Sequence, residues 1–367
     1  MRFPVVVLLS LALLSACAPQ MAAPAQALPP PIVTIFPFQS PTPAPTPTQT
    51  PTVAEAIQPY TIEGLRQRVF KGGKITLLSE LEKTEIFTRH RISYASDGLT
   101  ITGILQIPAE GTPPFPVIVM NHGYFNRSAF TSGDGTDRAA EYLNRHGYLT
   151  ISSDYRSWGD SDIGPSLFYS GLAIDVVNLV QAIPSIPQAD PERIGMWGHS
   201  MGGGVTMRVL MLDTPVRAAV LYSTVSADFA DVIQRWGMGC IGDIATGEQL
   251  YGCNSSDIIP DDLPTSLIEA YKVAARDPDL LREVSPFDHL DLVSVPVQIH
   301  YGIEDGKTYG STPPDWSRKL DQGLIDAGKE VELFAYEGQG HSFFADAWVA
   351  FMERSAQFFD RTVKNPT

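Results

Sequence analysis

The chain has 367 residues, 44% of them hydrophobic and 18% charged, which suits one large α/β domain once its N-terminus is set apart. The formal charge is −15 and no stretch reads as a basic patch, so nucleic acid is set aside as a partner. The acidity is spread along the chain and serves solubility.

In residues 1–16 one positive charge, Arg2, precedes an apolar run too short for an ordinary membrane-spanning helix. Its end, Leu14-Ser15-Ala16-Cys17, resembles the lipobox of bacterial lipoproteins. That predicts cleavage before Cys17, lipid on its thiol and an extracytoplasmic, membrane-anchored protein; a plain secretory signal is the alternative. Residues 17–58 are rich in Pro, Ala, Thr and Gln and are expected to form a semi-extended tether. Residues 59–88 read as a short helical lead-in.

From Arg89 the pattern changes. Two alternating segments flank Asp97-Gly98, a hairpin signal. Pro116 to Gly123 is an apolar strand running into a polar loop. A helix from Thr136 to His146 is followed by a buried strand at Tyr148 to Tyr155. Leu172 to Ala182 reads as a helix, 194–198 as a strand and Met201 to Leu212 as a helix. A strand starts at Ala218. The strands are apolar throughout and alternate with helices, which predicts a mostly parallel sheet covered on both faces, within a domain at 89–362. The alternation breaks over 225–292, an insertion of the kind that often forms a lid. Cys240 and Cys253 lie there, and outside the cytoplasm they can pair, closing a short loop worth ~3 kcal/mol; two unpaired thiols are the alternative. Strands at 296–301 and 331–336 and helices at 315–327 and 345–359 complete the order.

The chemistry centres on Gly198-His199-Ser200-Met201-Gly202, a G-x-S-x-G run between a strand and a helix. A serine hydroxyl is a weak nucleophile and needs a base beside it. A sharp strand-to-helix turn lifts it clear of the backbone, and the crowding there favours glycine two residues before and after. The N–H of Met201 then points to where an oxyanion would form.

The region from about Arg89 to Arg361 resembles the α/β-hydrolase fold. Within it, the chain resembles the catalytic domain of prolyl oligopeptidase family serine peptidases and the related dienelactone-hydrolase-like esterases. The resemblance rests on Asn121-His122-Gly123-Tyr124, Asp154-Tyr155-Arg156, Asp190 to Gly195, the Ser200 run, Gly302-Ile303-Glu304-Asp305 and Gly340-His341-Ser342-Phe343, in that order. It implies Ser200 as nucleophile, Asp305 as orienting acid and His341 as base, with Glu304 the neighbour that competes with Asp305. It also implies backbone N–H groups of Met201 and Tyr124 as the oxyanion hole. Gly338 and Gly340 are expected to let the His341 loop fold back toward Ser200. His122 and His199 are expected to be architectural, His300 to be a core residue, and Asp154 and Arg156 to form an ion pair. Asp160 and Asp162 are not taken as metal ligands, and no metal or cofactor is implied.

The oligopeptide-cleaving members of the family carry an N-terminal β-propeller, and fewer than 90 residues precede the hydrolase region here. A serine-type peptidase acting on short peptides and a carboxylic ester hydrolase therefore both stay open. A surface binding protein with dead chemistry is a reading of another class, and every motif position it should have lost is present.

Overall fold

The computed structural model describes residues 51–236 and 264–365. Cys17, Cys240 and Cys253, and much of the expected lid, lie outside the described residues. A nine-stranded sheet has the order β1-β2-β3-β5-β4-β6-β7-β8-β9. Strands β1 (Thr76–Lys83), β2 (Phe87–Ser96) and β3 (Leu99–Pro108) form an antiparallel edge. Strands β4 (Phe115–Asn121), β5 (Leu149–Ser153), β6 (Ala189–His199), β7 (Val216–Tyr222), β8 (Val297–Gly302) and β9 (Val331–Tyr336) run parallel.

Every residue of β4 and β5 is buried, because helices cover both faces. Val117 and Val119 point into one core, Ile118 and Met120 into the other. This two-sided burial is why the strand sequences are apolar without alternation.

Among the described residues the α-helices follow in chain order. They are α1 (Val53–Ile57), α2 (Ile62–Arg66), α3 (Asp137–Arg145), α4 (Ser170–Ala182), α5 (Met201–Leu210), α6 (Phe229–Trp236), α7 (Thr265–Ala274), α8 (Pro278–Val284), α9 (Pro314–Asp326) and α10 (Ala345–Phe359). Helices α4, α5 and α9 contribute to the first core, α3 and α10 to the second.

The expected hairpin forms at Asp97-Gly98, with φ of 51° and 82° at its two central residues. The N-terminal expectations need two corrections. The tether expected through residue 58 contains α1, and Ile57 is fully buried, as are Ile62 and Leu65 of α2. A capping box between Thr52 and Glu55 starts α1, and α1 packs on α7. The lead-in is also not helical throughout, because residues 76–83 form β1. All eight β1 residues are exposed, so backbone pairing at the sheet edge makes this strand and no apolar alternation announces it.

Candidate active site

Ser200 stands between the end of β6 and the start of α5 with φ 54° and ψ −121°, a strained conformation for a residue with a Cβ. Its N–H donates to the Tyr222 carbonyl at 3.0 Å, and its own carbonyl accepts from Gly203 at 2.9 Å and Val225 at 3.1 Å. The turn is thus stitched to β7 and its following loop. The flanking glycines are fixed by space. A Cβ on Gly198 would meet the Gly202 carbonyl oxygen at 2.4 Å, and one on Gly202 would meet the Asn121 oxygen at 2.1 Å. A Cβ on Gly123 would lie 3.1 Å from that of Ser200. The loop ending β4 therefore lies against the serine, with Tyr124 next in the chain. Met201 is the first residue of α5, where a backbone N–H has no acceptor within the helix.

Asp305 follows β8, and its Oδ2 lies 3.0 Å from His341 Nδ1. Gly306 N–H donates to Oδ1 at 2.8 Å, and the Thr312 hydroxyl lies 2.9 Å from Oδ2. Burial pushes the Asp305 carboxyl up, but the hydrogen bond and charge of His341, with the Thr312 and Gly306 bonds, outweigh it and hold the carboxyl below its usual range. Glu304 pairs with Lys307 at the surface, so the acid beside His341 is Asp305.

The His341 loop is braced from β6 and β7. His199 Nε2 donates to the His341 carbonyl at 3.0 Å, and Phe343 N–H donates to the Tyr222 hydroxyl. Burial, reinforced by His341, pushes His199 down to about 3, so it works as a neutral brace. His122 is pushed by burial down to about 4, stacked between Phe130 and Tyr155. His300 is a core residue, with Nδ1 on the Tyr336 hydroxyl and Nε2 on Gln298. These three take the architectural places expected of them.

The expected Asp154–Arg156 ion pair is not what forms. Tyr155 and Ser157 both have positive φ, and the turn they make re-aims Arg156. Arg156 grips the buried Asp175 of α4 through Nε at 3.0 Å and Nη2 at 2.8 Å. Asp154 accepts instead from Thr102 and Ser132, each at 2.6 Å. Asp160 pairs with Arg91, and Asp162 accepts from the Thr100 N–H.

Two residues of the site escape sequence reasoning. Thr312 touches both Asp305 and His341. Arg235 of α6 donates to the carbonyls of Gly306, Thr308 and Ser311 and so holds the loop that carries the acid. Neither stands at a recognisable spacing from a motif, so no sequence signal marks them.

Residues 116–240 match the family model of the alpha/beta hydrolase fold. An uncharacterized peptidase, YuxL, of Bacillus subtilis is 26% identical over 68% of this chain and 35% of its own length. The lysophosphatidylserine lipase ABHD12 of Xenopus tropicalis is 34% identical over 30% of this chain and 28% of its own. The chain thus spans about a third or less of these curated relatives. Among solved structures, the Pyrococcus horikoshii acylaminoacyl peptidase superposes with TM-score 0.58 at 20% identity, over 77% of this chain and 43% of its own. Acetyl xylan esterase 1 of Thermoanaerobacterium sp. superposes with TM-score 0.55 at 16% identity, over 84% of this chain and 91% of its own. Strand order, the serine turn and these matches together make the chain an α/β-hydrolase-fold protein, similar to proteins named as peptidases, lipases and esterases.

Proposed function

We propose that the chain is a serine hydrolase that cleaves carboxylic amides or esters through an acyl-enzyme on Ser200. The observation that carries this is the 3.0 Å bond from His341 Nδ1 to the Asp305 carboxylate, in a fold that raises Ser200 on a strained turn. With Nδ1 engaged, His341 offers Nε2 to take the Ser200 proton. The serine oxygen then bonds to the substrate carbonyl carbon, and the carbonyl oxygen takes up the charge. Backbone N–H groups of Met201 and Tyr124 would receive that oxyanion. His341 returns the proton to the leaving amine or alcohol, and water repeats the sequence on the acyl-enzyme.

A short-peptide amide is the first reading, supported by the peptidase-named relative that matches along 68% of the chain. A small carboxylic ester is the second, supported by the acetyl xylan esterase that superposes along 84% of it. The full chain in detergent is assayed with p-nitrophenyl esters and with aminoacyl and dipeptidyl anilides, with Ser200→Ala as the blank. Anilide turnover lost in that variant supports the peptidase reading, and ester turnover alone supports the esterase. A fluorophosphonate that labels neither chain ends the hydrolase reading.

The Leu14-Ser15-Ala16-Cys17 run supports a site displayed outside the cytoplasm on a lipid anchor. Metabolic labelling with an alkyne fatty acid, lost in Cys17→Ser, tests this.

A further inference from the structure

The site read above as a triad has a fourth polar contact. Thr312 lies seven residues beyond Asp305 and is 2% exposed. Its Oγ1 lies 2.9 Å from Asp305 Oδ2, 3.0 Å from the Ser223 carbonyl and 3.3 Å from His341 Nδ1. A hydroxyl has one proton and two lone pairs. Donation to either oxygen leaves the other facing the threonine oxygen unscreened, and the repulsion is worse against the carboxylate at 2.9 Å than against the neutral Ser223 carbonyl at 3.0 Å. A charged acceptor also makes the stronger bond. The proton therefore belongs on Asp305 Oδ2, and a threonine lone pair is then turned toward His341 Nδ1–H.

The loop is built to bring Thr312 back. Gly306, at φ 80°, packs so closely on Pro313 that a Cβ there would lie 2.7 Å from the proline Cα. The Ser311 hydroxyl bonds to Thr308 O at 2.8 Å and receives Gly306 N–H at 3.0 Å. Arg235 closes the outside of the loop on three carbonyls.

We propose that Thr312 is a positioning residue. It locks the Asp305 carboxylate against rotation and shares the His341 Nδ1 proton, so that Nε2 is the free base. This rests on the serine-hydrolase reading of the site, and it adds a residue that the triad pattern does not include.

The test compares Thr312→Val and Thr312→Ser in the full chain. Three quantities are read: kcat and KM with the better of the ester and anilide substrates, thermal melting, and the downfield proton resonance of His341 Nδ1. Asp305→Asn serves to assign that resonance. The valine substitution is expected to lower kcat by about ten- to a hundredfold, the size of one hydrogen bond to a charged group, with KM little changed. It should also move or broaden the Nδ1 resonance. The serine substitution should restore both. A Thr312→Val chain with wild-type kcat and an unmoved resonance overturns the proposal. So does a Thr312→Ser chain as impaired as Thr312→Val, which would assign the role to the methyl group. If the valine chain fails to fold, Thr312→Cys, a weaker donor of similar size, must fall between serine and wild type on one side and inactivity on the other. If fluorophosphonate labels neither the wild type nor Ser200→Ala, the hydrolase reading falls, and the Nδ1 resonance still decides the Thr312 contact.

Discussion

The two halves of the proposed catalytic site are held by different means. The nucleophile half is held by backbone: Ser200 is bonded through its N–H and carbonyl to residues of β7 and α5, and Gly123, Gly198 and Gly202 let three chain segments meet at contact distance. The acid–base half joins close backbone packing at Gly302 and Gly306 to side-chain props, most of them from other elements. Thr312, Arg235, His199 and Tyr222 each grip the loops that carry Asp305 and His341. A backbone solution tolerates one residue type at each crowded point, so it leaves a spacing in the sequence. A side-chain solution draws on residues anywhere in the chain.

That difference decides what was legible. The parallel sheet was readable because two-sided burial makes β4 and β5 continuously apolar, and the hairpin because Asp97-Gly98 supplies two positive φ angles. Ser200 was readable from glycines whose absent Cβ atoms would strike carbonyl oxygens. β1 was not, since its exposed side chains leave no period. The Arg156–Asp175 pair was not, because positive-φ residues on either side of the arginine re-aim it. Reading Asp305 and His341 required the order of a family's motifs, and their supports stayed hidden even then.

The largest expected effect falls on the side-chain half. Asp305→Asn keeps the shape but presents an amide that can donate to His341 Nδ1, favouring the tautomer with Nε2 protonated. The kcat should fall by ~10⁴-fold with little change in melting temperature. A drop of less than tenfold would mean that Asp305 does not set the tautomer and that the acid–base half is misassigned.

Gly202→Ala tests the backbone half. Its new Cβ would sit 2.1 Å from the Asn121 oxygen, and relief requires the elbow or the β4 loop to move. Overpacking of this kind costs about 1–3 kcal/mol, and the moved turn should also abolish fluorophosphonate labelling. A stable chain that labels normally would show that the elbow yields, and the contrast between rigid and propped halves would fail.

A pH measurement tests both architectural histidines. His122 and His199 are held down to about 4 and about 3 by burial, whereas a histidine in the unfolded chain titrates near 6.5. Below pH ~6.5 the unfolded state binds protons that the folded state refuses, so each histidine lowers stability as pH falls, by about 1.4 kcal/mol per pH unit. This loss continues down to the folded value. His122→Phe and His199→Phe should each flatten the slope of unfolding free energy between pH 6 and 5 by that amount. The two variants should differ in activity near neutral pH. His199→Phe also releases the His341 carbonyl and should lower kcat. Parallel pH–stability curves for wild type and variants would mean that these rings are protonated in the folded chain.

The smallest effect is the sharpest check on where the acid–base half needs glycine. The sequence places the turn-back of the His341 loop at Gly338 and Gly340. Gly338 does have φ 67°, but a Cβ on Gly340 would meet nothing within 4 Å. The close approach lies across the site at Gly302, the last residue of β8, where a Cβ would strike Gln339 O at 2.2 Å and Gly340 O at 2.4 Å. Gly340→Ala should therefore change stability by no more than about 0.5 kcal/mol and leave kcat near wild type. Gly302→Ala should displace the loop and cost both. Should Gly340→Ala be the more damaging of the two, the loop must move through conformations in which Gly340 needs its freedom. The acid–base half would then be propped in the resting state and mobile during turnover.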